Sequence, residues 1–224
     1  MKLYMHPVST TSRPIVLFMA DNGIEAENVV IDLMTGEHMG EAFGEINPNH
    51  LVPVLEDGDF RLTESSAILK YLADTVDSPA YPKDLQARAK VNAMMDWLNA
   101  DFYRDWGYGL VYPQIFPHHK RQSDEAQTAT MDWARERSRG RLDILDKRWI
   151  GPDQAYLCGN EVTIADYFGM GIFSLGEVVR CDLSAYPNVG RWIGNMKGRP
   201  NWDSVNETFY GFVGSVREQP FTGL

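Results

Sequence analysis

The sequence predicts an α/β domain followed by an all-helical domain. Strand and helix signals alternate near the N-terminus, whereas strand signals nearly vanish in the second half of the chain. Between the two regions, Pro79 and Pro82 interrupt helix and strand alike. With 224 residues, the chain is long enough for two small domains. We therefore expect an α/β domain over residues 1–77, a linker over 78–86 and a helical domain over 87–224.

The elements of the first domain follow one another in a defined order. Residues 2–5 are typical of a short strand. Pro14 suits the first turn of a helix, because its missing N–H is not needed there, and Asn22-Gly23 marks the end of that helix. Residues 27–33 alternate enough to form a second strand. A loop, two further strands and a helix follow, which is the element order of a thioredoxin-like domain.

The second domain is predicted from helical periodicity and from one capping motif. Residues 85–106 carry apolar side chains at helical spacing, and residues 126–149 repeat the pattern with many charges. Thr163 and Asp166 have the spacing of a capping box, in which each side chain accepts a hydrogen bond from the other residue's backbone N–H. A helix is therefore expected to begin at this motif.

Composition and charge exclude several classes of function. The formal net charge of −10 disfavours nucleic acid as a partner, since phosphate binding needs basic patches. Cys158 and Cys181 are the only cysteines and form no CxxC pair, so a disulfide scaffold is not expected. The longest apolar run near the start, residues 15–20, is too short to cross a membrane. We expect a cytoplasmic protein that binds neither nucleic acid nor membrane.

The segment 47–71 (NPNHLVPVLEDGDFRLTESSAILKY) is the most informative part of the chain. Pro53 heads a strand and has no N–H for the ladder. If the preceding peptide bond is cis, the N–H and C=O of Val52 can pair with an extended ligand. Glu64 and Ser65 open a helix, whose free N–H groups favour an anion. Together these features predict a site for a short peptide with a carboxylate.

This order of features resembles the glutathione-binding half of the cytosolic glutathione transferase superfamily. The resemblance covers essentially the whole chain and is closest to the serine-type delta, theta and related bacterial classes. It implies an enzyme that joins the thiolate of glutathione, its co-substrate, to small hydrophobic electrophiles. It also implies a homodimer that needs no metal.

The resemblance assigns activation of the thiol to a hydroxyl in the loop after the first strand. A free thiol has a pKa of about 8.5, so only a few per cent is ionised near neutral pH. Ser9 is the candidate, because it lies four residues before Arg13, the delta and theta spacing. Thr10 and Thr11 stay open as alternates, and Thr10 stands where the beta class has a cysteine. We expect Thr11 or Ser12 to cap the following helix.

The resemblance also assigns the residues that hold glutathione. Glu64 would take its ammonium group, Ser65 its γ-glutamyl carboxylate, and the histidines its glycine end. Ser66 stands where delta enzymes usually have an arginine, so Arg13 or a partner subunit would have to supply the missing cation. The full predicted set for glutathione is His38, His50, Val52, Pro53, Glu64 and Ser65.

The second substrate is expected between the domains, on the aromatic face of the first long helix of the helical domain. Tyr112 and Phe116 are the predicted pocket residues, because their stretch resembles the same stretch in delta enzymes. Apolar walls with few polar groups suit a hydrophobic electrophile. His118-His119 has no carboxylate or cysteine at ligand spacing, so a solvated loop is expected there rather than a metal site.

Two alternative functions remain open at this point. Glutathione-dependent reduction of peroxides or disulfides would use the same site, but it favours a cysteine near the first helix, which this chain lacks. A non-catalytic binding or regulatory module could share the fold. Such a module need not retain Glu64, Ser65, His50 and Pro53.

Overall fold

A computed structural model describes all 224 residues and contains one four-stranded sheet. The strand order is β2-β1-β3-β4, with β1 parallel to β2 and antiparallel to β3, and with β3 antiparallel to β4. This mixed sheet confirms the predicted thioredoxin-like domain. The strands are β1 (Lys2–Met5), β2 (Glu27–Val30), β3 (Val54–Asp57) and β4 (Phe60–Leu62).

Three helices accompany the sheet: α1 (Arg13–Asp21), α2 (Glu41–Gly44) and α3 (Ser65–Thr75). Because side chains alternate along a strand, Leu3 and Met5 of β1 join the main core with Ile15 of α1. Tyr4 points to the other face, where it joins a small cluster with Phe43 of α2. The main core runs on without a break into the helical domain, so the two domains are packed as one body.

The helical domain begins with one long helix. This helix starts as α4 (Leu85–Trp97), passes through π-helical turns at Leu98–Phe102 and Arg104–Val111, and ends as α5 (Tyr112–Ile115). A 3-10 turn at Pro117–His119 follows. The remaining helices are α6 (Asp124–Ile144, extended by a π-helical turn at Leu145–Ile150), α7 (Ile164–Phe173), α8 (Leu175–Val178), α9 (Pro187–Lys197) and α10 (Trp202–Ser215).

The predicted capping box is confirmed at the start of α7. The N–H of Thr163 donates to Asp166 Oδ2 over 2.7 Å, and the Thr163 side chain accepts from the backbone of Asp166. Asp166 is fully buried and also accepts from Leu157 N–H at 2.8 Å and from Trp192 Nε1 at 2.9 Å. This carboxylate therefore fixes the start of α7 and joins it to α9.

Two element boundaries differ from the sequence-based expectation. Strand β2 ends at Val30, three residues before the predicted end, because the chain leaves the sheet ahead of the next loop. Helix α4 begins at Leu85, inside the segment 78–86 assigned to the linker, and Asp84 caps it by accepting from Ala87 N–H at 2.9 Å. The division into domains at residue 77 stays a prediction. No helix combines the length and the apolarity that crossing a bilayer requires.

Candidate glutathione and electrophile site

A cavity of about 490 Å³ lies between the thioredoxin-like domain and the helical domain. Its polar side comes from the loops after β1 and before β3 and from the start of α3. Its apolar side comes mainly from the long α4–α5 helix, α8 and α10. Every residue predicted for the site lines this one cavity: Ser9, Thr10, Thr11, His38, His50, Val52, Pro53, Glu64, Ser65, Tyr112 and Phe116.

The hydroxyls after β1 do not play the capping roles expected of them. Ser9 Oγ accepts from the N–H groups of Thr11 at 3.3 Å and Ser12 at 3.2 Å. Ser12 stands at the N-cap position of α1 but makes no capping bond with its side chain. The expectation that Thr11 or Ser12 caps this helix is therefore wrong, because the turn after β1 brings Ser9 Oγ over these two N–H groups.

The Ser9 hydroxyl is also connected to the strand side of the cavity. Ser9 Oγ lies 3.2 Å from Thr11 Oγ1, and Thr11 Oγ1 donates to the carbonyl oxygen of Val52 at 3.2 Å. Since Thr11 uses its proton for Val52, the proton between the two hydroxyls comes from Ser9. The proton of Ser9 is thus free to move from Thr11 to a ligand sulfur.

The residues around Pro53 present an unpaired backbone donor. The Val52–Pro53 peptide bond is cis. The N–H of Val52 makes no hydrogen bond within the protein, although Val52 is 9% exposed and lines the cavity. A buried N–H without a partner is uncommon and needs an acceptor. An extended peptide beside Val52 would supply one.

Glu64 and Ser65 stand at the N-terminus of α3. Glu64 has φ +66°, a left-handed conformation that is uncommon for a residue other than glycine. Such conformations cost energy and cluster at functional sites. The conformation places Glu64 at the cavity while Ser65, 8% exposed, forms the first turn of the helix. The free N–H groups of that turn favour an anion.

His50 is held in place by the loop that contains His38. His50 Nδ1 lies 2.7 Å from the carbonyl oxygen of His38, so this nitrogen carries the proton and donates it. A Cβ at Gly44 would stand 3.0 Å from the His50 ring, so the glycine leaves room for it. Asn47, which the sequence interpretation did not select, lines the same part of the cavity and donates to Leu51 O at 2.7 Å.

Arg13 points away from the polar side of the cavity. Its guanidinium donates to Asn206 Oδ1 at 2.6 Å and to Ser174 Oγ at 2.8 Å, and it stacks on Phe209 at 3.7 Å. Burial lowers the pKa of Arg13 to about 10. The hypothesis that Arg13 replaces the cation missing at Ser66 is therefore wrong, because the guanidinium is used to join α1 to the helical domain.

Three tyrosines of the long helix converge on the apolar side of the cavity. Tyr103, Tyr108 and Tyr112 are five and four residues apart, a spacing that an ordinary α-helix would not keep on one face. The π-helical turn brings them together, with ring centroids 5.0 Å apart for the first pair and 5.1 Å for the second. The sequence also places Tyr103 and Tyr108 on this aromatic face, but of the three tyrosines only Tyr112 is predicted for the pocket.

Tyr112 connects the helical domain to the hydroxyl loop. Its OH lies 2.5 Å from Tyr103 OH and donates to Thr10 Oγ1 at 2.9 Å. Burial raises the pKa of Tyr112 to about 12 and that of Tyr103 well above its usual value. Both phenols therefore remain neutral donors at physiological pH.

The remaining apolar wall includes residues far apart in the sequence. Phe116 follows α5 and packs against Tyr112, with ring centroids 5.4 Å apart. Leu175 and Val178 of α8 and Phe209 and Phe212 of α10 complete the wall, and the sequence interpretation missed all four. Only the amphipathic pattern of α10 could have pointed to its two phenylalanines.

Comparison with known proteins identifies the family. Residues 1–74 match the model of the glutathione S-transferase N-terminal domain, and residues 109–200 match that of the C-terminal domain. The chain belongs to the glutathione S-transferase family and is a glutathione S-transferase. Human glutathione S-transferase theta-2 is 34% identical over 229 residues, covering 98% of this chain and 89% of that protein. Human theta-1 is 34% identical over 168 residues, covering 74% and 69%.

Solved structures agree with this assignment. Human glutathione transferase theta-2, in complex with glutathione and an unknown ligand, superposes with a TM-score of 0.84 at 28% identity, covering 99% of this chain and 92% of that one. A delta-class glutathione transferase from Nilaparvata lugens gives a TM-score of 0.80 at 32% identity, covering 96% and 98%.

Proposed function

We propose that this enzyme conjugates the glutathione thiolate to an electrophilic carbon of a small hydrophobic compound. The observation that carries the proposal is the composition of the cavity. Backbone and side-chain groups suited to a charged peptide line one side, and an aromatic and aliphatic wall from the helical domain faces them. A relative solved with bound glutathione, human theta-2, supports glutathione as the occupant of the polar side.

On the polar side, each group suits one part of the tripeptide. The free N–H of Val52 pairs with the cysteinyl unit. Glu64 takes the ammonium group, and Ser65 with the N-terminus of α3 takes the γ-glutamyl carboxylate. His50, with His38 beside it, binds the glycine carboxylate through Nε2, which donates in the imidazolium form because Nδ1 already donates to the His38 carbonyl.

Ser9 stabilises the thiolate in this proposal. Lowering the thiol pKa by about two units takes about 2.7 kcal/mol. One charge-assisted O–H···S bond together with the N-terminus of α1 has that magnitude. Because the N–H groups of Thr11 and Ser12 already donate to Ser9 Oγ, the hydroxyl is oriented before glutathione arrives. Thr10 and Thr11 stay as alternates, since both line the cavity.

The reaction then needs only the thiolate and a bound electrophile. The sulfur forms a C–S bond, and the leaving group departs with the electron pair of the bond that breaks. The thiol proton has already gone to solvent. Tyr112 and Phe116 supply apolar contact that holds the electrophile near the sulfur.

Reduction of disulfides by a cysteine of the enzyme itself is disfavoured. Neither Cys158 nor Cys181 lines the cavity. Burial raises the pKa of each thiol to about 11, which keeps both protonated and unreactive. Glutathione-dependent peroxide reduction needs no such cysteine.

We also propose that the enzyme is a homodimer, as the family resemblance implies. Several large apolar side chains are exposed on the isolated chain, among them Leu85 (81%), Trp133 (54%) and Phe60 (48%). Analytical ultracentrifugation should give twice the monomer mass.

Activity and binding assays test the proposed function. Calorimetry should detect glutathione binding, and chlorodinitrobenzene should be conjugated well above the uncatalysed rate. A hydroperoxide and a mixed disulfide, assayed with the same enzyme, should turn over more slowly. Glutathione binding without any conjugation, or no binding at all, would contradict the proposal.

A further inference from the structure

The electrophile half of the cavity, which is its apolar side in the proposed function, contains two neighbouring imidazoles. His118 and His119 belong to the 3-10 turn after α5, and both line the cavity beside Phe116 and Tyr112. The expectation of a solvated loop holds for His118, which is exposed, but not for His119, because the turn folds His119 against the long helix and leaves it half-buried. Apart from Asn99 and tyrosine hydroxyls, they are the polar groups on this side of the cavity.

Aromatic stacking, rather than hydrogen bonding, holds these imidazoles. His119 stacks on Tyr112 with centroids 5.3 Å apart and planes at 29°, and it meets Tyr108 edge to face at 5.5 Å. His118 stacks on Phe116 at 5.6 Å and 21°. The rings of His6 and His50 are tied by hydrogen bonds, whereas the nitrogens of His118 and His119 have no protein partner. Their N–H donors are therefore available to a ligand.

The local charge is opposite to that of the whole protein. The net charge of −10 would repel an anion, but Lys120 and Arg121 directly follow the two histidines. Lys120 is paired only loosely with exposed Asp124, at 3.4 Å, and Arg121 makes no salt bridge. Burial, then His118 and Arg121, lower the pKa of His119. The two cations that follow the histidines favour a bound anion.

We propose that the electrophile half of the cavity selects compounds that carry a carboxylate on an aromatic or other apolar body. The apolar body packs against Tyr112 and Phe116, and the carboxylate accepts hydrogen bonds from His118 and His119. Lys120 and Arg121 add a favourable potential at the rim. That the bound compound is also a substrate rests on the proposed conjugation. The preference for a carboxylate concerns binding affinity alone.

Matched ligands test the preference without turnover. Calorimetry compares nitrobenzoate with nitrobenzamide, which has nearly the same shape but no charge. A charge-assisted hydrogen bond is stronger than a neutral one, so the wild type should bind the benzoate about tenfold more tightly, which corresponds to about 1.4 kcal/mol. Equal affinity for the two ligands, or tighter binding of the amide, would overturn the inference.

Ring-conserving variants locate the preference. His119→Phe and His118→Phe keep the stacking on Tyr112 and Phe116 but remove the donors. Each should lose most of the benzoate preference, with the amide affinity and the glutathione affinity changed by less than about threefold. Lys147→Gln removes one cation from an exposed position away from the cavity and should leave the affinity for both ligands unchanged. If the histidine variants lose affinity for the benzoate and the amide equally, the histidines have a structural role and the proposal is contradicted.

Turnover separates this inference from the proposed function. Chloronitrobenzoate and its amide both react by C–S bond formation and loss of chloride, and each rate is divided by its uncatalysed rate with glutathione. If both compounds are conjugated but the benzoate has no rate advantage, or keeps its advantage in His119→Phe, the inference is refuted and the proposed function stands. Selective binding of nitrobenzoate with no conjugation of either compound would refute the function and support the binding site.

Discussion

At the scale of single residues, the hydroxyl of Ser9 combines a structural and a chemical role. Its oxygen accepts from two backbone N–H groups at the start of α1, while its proton is shared with Thr11. The lone pairs are therefore committed to the loop, whereas the proton, directed at Thr11 in the free enzyme, can turn to a ligand. An oriented donor loses less freedom on binding than a mobile hydroxyl, which favours Ser9 as the group that faces the sulfur.

Removal of this hydroxyl should reduce catalysis more than glutathione binding. Ser9→Ala is expected to lower kcat/KM for conjugation tenfold or more, because the O–H···S bond is lost. Loss of the acceptor for two N–H groups should also cost about 0.5–2 kcal/mol of stability. Steady-state kinetics and urea unfolding measure the two effects.

Ser12→Ala is the matched control for this variant. Ser12 Oγ accepts only a long bond from His6 N–H, at 3.5 Å, and does not line the cavity. Its conjugation rate should stay within about threefold of the wild type, a difference of about 0.7 kcal/mol at most. Similar activity of Ser9→Ala and the wild type would remove Ser9 from the catalytic role and favour Thr10 or Thr11.

The buried phenol of Tyr112 should not set the pH dependence of the reaction. Burial raises its pKa to about 12, so Tyr112 stays neutral throughout the range in which activity rises with pH. The rise must then come from ionisation of the glutathione thiol, and Tyr112→Phe should keep it with a midpoint moved by less than about half a unit. The KM for the electrophile should increase. A rising limb that disappears in Tyr112→Phe would assign the titration to the tyrosine.

At the scale of elements, helix α7 supports the active-site loop from behind. Gly171 lies so close to the loop that a Cβ there would overlap the carbonyl oxygen of Thr10 and the ring of Pro14. The glycine thus allows a helix of the second domain to contact the turn that carries Ser9. The position of the hydroxyls depends on this contact as well as on the loop sequence.

A single methyl group on α7 should therefore disturb the site. Gly171→Ala is expected to destabilise the enzyme by about 1–3 kcal/mol, because the methyl group overpacks a dense interface, and to lower conjugation. Gly140→Ala, in α6, meets no atom within 4 Å and should be neutral or stabilising by up to about 1 kcal/mol. Denaturant unfolding and kinetics of both variants provide the comparison. Unchanged stability of Gly171→Ala would contradict the packing described for α7.

At the scale of the whole molecule, a buried carboxylate joins the two domains. Asp21, at the end of α1, accepts from Tyr167 OH at 2.9 Å and from Asn201 Nδ2 at 2.8 Å, and it forms an ion pair with Arg199. Its side chain is only 2% exposed. The relative position of the domains, and thus of the two halves of the cavity, depends on this cluster.

Neutralising Asp21 should weaken the domain interface. Asp21→Asn is expected to cost about 1–3 kcal/mol, because Arg199 and Tyr167 lose a charged acceptor. Asp74→Asn, which breaks exposed salt bridges to Lys83 and Arg88, should cost less than about 1 kcal/mol. Urea unfolding measures the loss of unfolding free energy in each of the two variants. Equal losses in both variants would show that the buried cluster adds nothing beyond a surface pair.

The sequence predicted what is encoded locally. Pro53 with Val52, and Glu64 with Ser65, are short motifs whose backbone geometry follows from neighbouring residues, and the capping box at Thr163 is equally local. These features fixed the thioredoxin-like domain and the polar side of the cavity in advance.

The parts that could not be predicted depend on distant contacts or irregular helix geometry. The bond from Arg13 to Asn206 spans 193 residues, and no local pattern announces it. Tyr103 and Tyr108 share a face only because of the π turns, which hydrophobic periodicity does not reveal. Ser9 Oγ accepts from the N–H groups of Thr11 and Ser12 because of the path of the loop after β1, which no local motif indicates.

The ultraviolet absorbance of a bound thiolate shows whether this cavity holds glutathione in its ionised form. Titration of the enzyme–glutathione complex against pH should give a thiol pKa about two units below the free value of about 8.5. In Ser9→Ala the midpoint should return most of the way to the free value. A wild-type complex that titrates like free glutathione would contradict the account.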